Sequence, residues 1–91
     1  MYELEFTKRF LKDVSRLKSN KYFKKEELEK VFKLLKSDKL IPSKYLNHKL
    51  QGDMLGMYDL HVQNDLVLIY KKDTRVKLIS LMRLGSHSEL F

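Results

Sequence analysis

Apolar and polar residues alternate singly at the start of the chain. Tyr2, Leu4 and Phe6 interleave with Glu3 and Glu5, the period-2 pattern of a strand with one buried face. The period then lengthens. Thr7 is placed to cap a helix in which Phe10, Leu11, Val14 and Leu17 recur at helical spacing, while Lys8, Lys12 and Arg16 fall on another face. Beyond Ser19-Asn20 a second helix is predicted over residues 22–37, where Leu28, Val31, Phe32 and Leu35 form one apolar stripe. Glu26 with Lys30 and Glu29 with Lys33 add i,i+4 pairs in the favourable order.

Pro42 lies in a loop leaving the helices, and Gly52 and Gly56 bracket a second loop around Met54. The pattern then returns to strands over residues 57–62, 66–71 and 76–84, separated by Gln63-Asn64-Asp65 and Lys72-Asp73-Thr74-Arg75, both hairpin-like turns. Gly85 ends the last strand, and the tail from Ser86 to Phe91 has no assigned conformation. The predicted order is β-α-α-β-β-β. That is an α+β fold with two N-terminal helices packed on one face of an antiparallel sheet, the other face left free.

A chain of 91 residues is expected to hold one core and one domain, residues 1–91. The longest apolar run, Leu66 to Tyr70, is far short of the roughly 20 residues of a membrane helix, so no membrane partner is expected. Charges at Glu3, Glu5, Lys8 and Arg9 interrupt any signal-peptide core, and zero cysteines exclude a disulfide framework. A cytoplasmic protein is expected. Nineteen Lys and Arg oppose twelve Asp and Glu, a net +7 that favours an anionic partner such as nucleic acid or an acidic protein. Residues 1–45 carry thirteen bases against seven acids, while residues 46–91 carry six against five. Any one lysine most often only solvates a helix face, so the sum carries the information. Lys8, Lys12 and Arg16 are the candidates for holding RNA phosphates.

All three histidines, His48, His61 and His87, lie in the nearly neutral half. No cysteine nucleophile exists, no serine sits in a nucleophile-elbow motif, and no Gly-rich loop could cradle a nucleotide phosphate. His48, His61, His87 and Asp65 include metal-ligand types but show no recognised metal spacing, so neither a metal nor a cofactor is expected. Acid–base catalysis by histidine remains, because imidazole takes and gives protons near neutrality. RNA cleavage needs a base for the ribose 2′-OH, an acid for the departing 5′-oxygen and a cation for the phosphoryl oxygens. His61, Asp65, Arg83 and His87 supply such groups on consecutive elements. Alternation predicts Asp59 and His61 on one face of their strand, and Lys77, Ile79, Leu81 and Arg83 on one face of theirs. The same residues also fit a non-catalytic basic module that binds RNA or an acidic protein.

Four segments carry a resemblance: His48 to Gly52, Gly56 to Val62, Asp65 to Tyr70, and Arg83 to Phe91. Together they resemble the YafQ branch of the RelE/ParE toxin superfamily, and the N-terminal strand and basic helices agree in order. The resemblance implies a RelE-like fold and a metal-independent endonuclease that cuts translated mRNA on the ribosome and is silenced by a cognate antitoxin. It also implies an acid–base set of His48, His61, Asp65 and His87, with Arg83 as phosphate-stabilising cation and Phe91 as base-stacking residue. Leu66 departs from the pattern, since YafQ-type proteins can carry tryptophan there. The gyrase-directed relatives within the superfamily share the implied fold but give the histidines no task.

Overall fold

The computed structural model describes residues 1–91. Strand β1 (Glu3–Phe6) leads into helix α1 (Lys8–Leu17) and helix α2 (Lys25–Ser37), followed by strands β2 (His48–Lys49), β3 (Met57–Gln63), β4 (Leu66–Asp73) and β5 (Leu78–Gly85) and a one-turn helix, α3 (His87–Leu90). The strands form one sheet in the order β1-β5-β4-β3-β2. The α+β class and its order hold, with two additions and one correction. Short β2 and α3 join the set, and β1 pairs with β5 in parallel, Glu3 opposite Leu78 and Phe6 opposite Leu81. The meander of consecutive hairpins is antiparallel as expected, but no hairpin joins β1 to β5: two helices and three strands lie between them, so no tight turn imposes the antiparallel direction on this pair.

The core lies between the helices and one sheet face. Phe10 and Leu17 from α1 and Leu28, Val31 and Leu35 from α2 meet Leu60, Leu66, Leu68, Tyr70, Ile79, Leu81 and Leu84. Leu66 is therefore a core residue and offers no stacking surface. Leu11, expected on the apolar stripe, is half exposed. Thr7 caps α1 as predicted, accepting from the Phe10 amide at 3.2 Å, and its hydroxyl donates to Leu81 O at 2.6 Å. Helix α2 starts three residues later than its apolar period suggested. Asn20 Oδ1 accepts from the Tyr22 amide, and Gln63 holds Tyr22 O and the Lys24 amide, so these backbone groups are already engaged. The ion pair on α2 is Glu27 with Lys30 at 3.1 Å, instead of the two i,i+4 pairs.

One charged residue sits on the buried stripe of α1. Asp13 is 4% exposed, and both its oxygens are fully used. Oδ2 accepts from Arg83 Nε at 2.8 Å and the Leu84 amide at 2.9 Å, while Oδ1 accepts from Arg83 Nη2 and Arg16 Nη2, each at 3.3 Å. Strand β1 ends opposite Leu81, so the rest of the β5 edge has no strand partner. Helix α1 takes over that edge: Asp13 receives the Leu84 amide and Arg16 donates to Leu84 O at 3.3 Å. Burial alone pushes the Asp13 carboxyl up, and the bonds from Arg83, Leu84 and Arg16 outweigh it, leaving a pKa below the usual 3.8. A depressed carboxyl contributes stability above the unfolded value and loses it as pH falls through the folded one. Melting temperature should therefore drop in acid below pH 3.8. Asp13→Asn should start about 2 kcal/mol less stable at neutral pH and show a flatter acid dependence, measured by thermal unfolding across pH.

Candidate active site

Register places the candidate groups. Residues directly opposite in a sheet share a face, so the pairings His48 to Asp59, Asp59 to Ile69 and Ile69 to Arg83 run as one row across four strands. His61, Val67 and Gly85 form the next row on that face. Val67 and Ile69 are fully buried yet stand outside the core beneath the helices. The face expected to be free is instead an apolar floor flanked by histidine, aspartate and arginine.

Arg83 reaches this face because of a bulge. Tyr70 opposes Leu81 but Ile69 opposes Arg83, leaving Met82 as the extra residue. Simple alternation put Arg83 with Ile79 and Leu81, and the structure corrects this: those two face the helices and Arg83 the opposite side. A bulge re-aims the side chain that follows it. Leu84 is turned into the core by the same step.

The tail forms α3, held by a capping box. Ser86 Oγ accepts from the Glu89 amide at 3.3 Å, and Glu89 Oε1 accepts from the Ser86 amide at 2.8 Å. Gly85 permits the close fold-back, since a Cβ there would stand 3.0 Å from Glu89 Oε1 and 3.3 Å from Leu90 Cδ2. Arg16 Nη1 donates to Glu89 Oε2 at 2.6 Å and ties α3 to α1. Arg16 thus has partners within the protein while its side chain stays 44% exposed. Lys8 and Lys12 stay exposed on α1.

The α3 turn brings His87 over the sheet. Its ring centroid lies 4.9 Å from that of His61, and the Phe91 ring follows 6.0 Å beyond. Asp65, in the β3–β4 turn, accepts from the His87 amide at 3.2 Å and lies 2.9 Å from His87 Nδ1. The bond from the His87 side chain is the main influence holding the Asp65 carboxyl below its usual range. An ionised carboxylate only accepts, so Nδ1 carries hydrogen and Nε2 is left for other partners. A second, looser pair has the same form: His48 Nδ1 lies 3.4 Å from Asp59 Oδ1. Asp59 is 8% exposed, and this oxygen makes no hydrogen bond.

The sequence-predicted residues thus fall into three positions on one face. His61, Asp65, His87 and Phe91 form a cluster, His48 stands across β3 beside Asp59, and Arg83 stands on the far side of β4 with its guanidinium turned to Asp13. No three of the His, Asp and Glu side chains gather in a way that could hold a metal ion. Sequence reasoning missed Asp13, and it placed Asp59 beside His61 without giving it a role. Asp13 left a trace: it falls three residues after Phe10 and four before Leu17 on an apolar stripe. Tyr70, buried and bonded to Asn47, has its hydroxyl pushed up to about 12 by burial, which removes it from chemistry near neutrality.

A sequence model of the family described as bacterial toxin of type II toxin-antitoxin system, YafQ, matches residues 2–91. The mRNA interferase toxin YafQ of Escherichia coli strain K12 is 34% identical over 90 residues, 98% of this chain and 95% of that protein. Among solved structures, a copper-bound mutant toxin from Helicobacter pylori superposes with a TM-score of 0.91 at 32% identity, covering all of both chains. A chain of the Escherichia coli DinJ-YafQ complex superposes with a TM-score of 0.86 at 30% identity, over 100% of this chain and 99% of that one. Sequence and fold agree over essentially the whole length, and the chain belongs to the YafQ family of bacterial type II toxin-antitoxin toxins.

Proposed function

We propose that this chain, acting as one domain over residues 1–91, is an mRNA endoribonuclease that cleaves by metal-independent acid–base chemistry and inhibits translation. The observation that carries the reading is the aromatic row His61, His87 and Phe91, with Asp65 bonded to His87 and Arg83 on the same sheet face. In the reaction one imidazole takes the proton of a ribose 2′-OH, whose oxygen attacks the adjacent phosphorus. The P–O5′ bond breaks, a second imidazole protonates the departing oxygen, and Arg83 stabilises the charge on the phosphoryl oxygens. The products are a 2′,3′-cyclic phosphate and a 5′-hydroxyl. His48, His61, Asp65 and His87 form the acid–base set, and Phe91 stacks on a base.

The candidate groups all lie on one sheet face, as suits a strand presented by a translating ribosome in the cytoplasm. Basic residues extend the contact. Lys8 and Lys12 are exposed on α1, and Lys30, Lys33, Lys39 and Lys44 line an open groove of about 450 Å³ beside Ser37 and Tyr45. These cations suit RNA phosphates. His87→Ala should lower cleavage of translated mRNA by roughly a hundredfold or more while the protein stays folded, and a single 2′-deoxy substitution at the cut site should block it. Undiminished cleavage by that variant would count against the reading. Intact mRNA bound in a salt-sensitive complex would favour the non-catalytic module, and loss of supercoiling activity a gyrase-directed toxin.

A relative is found in complex with DinJ, and we propose a cognate antitoxin for this chain as well. A second groove of about 450 Å³ runs between α1 and α2, lined by Phe6, Leu11, Val14, Phe23 and Phe32, with two cations, Lys18 and Lys25, and one carboxylate, Glu29, at its edges. Its apolar floor and the excess of cations over the single carboxylate suit an amphipathic segment with acidic residues. Leu11→Asp, which places a carboxylate in the groove, should weaken the toxin–antitoxin complex roughly tenfold or more in a binding titration and leave mRNA cleavage unchanged.

A further inference from the structure

We propose that Asp13 is a positioning residue for cleavage, which fixes the Arg83 guanidinium on the site face although Asp13 itself lies across the β5 edge. This rests on the endoribonuclease reading above. The geometry carries it. Arg83 follows the Met82 bulge and is therefore aimed at the face of His61, yet a side chain with four rotatable bonds has many other conformers there. Two of its nitrogens are taken by one carboxylate, Nε at 2.8 Å and Nη2 at 3.3 Å, and two bonds to a planar fork fix the plane of the whole group. Nη1 makes no bond within the protein and is the nitrogen left for a phosphoryl oxygen.

The carboxylate is itself immobile, because the Leu84 amide and Arg16 occupy its remaining acceptor sites. Arg16 has a second effect. It shares Oδ1 with Arg83, so the single negative charge of Asp13 is divided between two guanidinium groups and Arg83 keeps positive charge to offer. Donors held in place before reaction need no reorganisation as charge develops, which is the main way a fixed cation lowers a barrier. Arg16 also binds Glu89, whose other oxygen closes the capping box under His87. One buried acid thus links the cation of the site to the helix that bears an imidazole.

The experiment compares single-turnover cleavage of translated mRNA by wild type, Asp13→Asn, Arg83→Ala and the double variant, each checked for folding. Asp13→Asn should cut roughly tenfold to a hundredfold more slowly at saturating ribosomes with unchanged half-saturation. In the Arg83→Ala background the same change should add little, because Asp13 acts through Arg83. A general loss of stability would not produce that non-additivity. As a second measurement on the unaltered chain, the Arg83 Nε–H should give a resolved, slowly exchanging NMR signal at neutral pH, identified by its absence in Arg83→Lys. Cleavage by wild type together with undiminished Asp13→Asn rates, with multiplying losses in the double variant, or with a freely exchanging Nε–H overturns the positioning role. Wild-type protein that leaves mRNA intact instead overturns the function on which the role depends.

Discussion

A carboxylate placed inside a protein must have each of its acceptor sites matched, or the cost of removing it from water destabilises the fold. Asp13 meets this condition with donors from a helix, a strand edge and a side chain seventy residues away in sequence. The arrangement answers two needs at once. The β5 edge beyond β1 has backbone groups without a strand partner, and α1 satisfies them with Thr7, Asp13 and Arg16. A strand in that place would have covered the edge equally well but would have offered Arg83 no anchor. The helix that completes the sheet is therefore also the support for one side of the reactive face.

Helices and hairpins were legible wherever a residue's environment depends on its own neighbours. The alternation of Tyr2 to Phe6, the cap at Thr7, the stripe through Leu28, Val31 and Leu35 and the two turns of the meander all follow from local period and local chemistry. What escaped depends on partners distant in sequence. The direction of β1 is fixed by its pairing with β5, and β2 is two residues long with no pattern of its own. The face of Arg83 is decided by a single extra residue, Met82, and nothing in Leu81-Met82-Arg83-Leu84 marks where alternation breaks. Asp13 read as an ordinary polar position because the donors that bury it come from elsewhere.

The candidate site was legible through the family resemblance more than through spacing. His61, Asp65, His87 and Phe91 do meet, although the tail that carries the last two has no periodicity. Its helix rests on a cap at Ser86, a glycine that admits close packing and the Asp65 bond, which are features of contact. The two histidine–carboxylate pairs differ in character. Asp65 is exposed and tightly bonded, while Asp59 is buried with one oxygen unmatched beside a solvent-facing imidazole. A fixed ring and an adaptable one on the same face suit a reaction with two proton transfers.

The parallel pairing of β1 with β5 bears on how the chain is made. The first strand synthesised has no neighbour in the sheet until the last strand appears, and Asp13 waits equally long for Arg83 and Leu84. During translation the N-terminal third emerges with an unmatched acid and an uncovered strand, and docking must await residues 78–85. An mRNA interferase is thereby assembled late, so the polypeptide can be largely synthesised before its own chemistry begins.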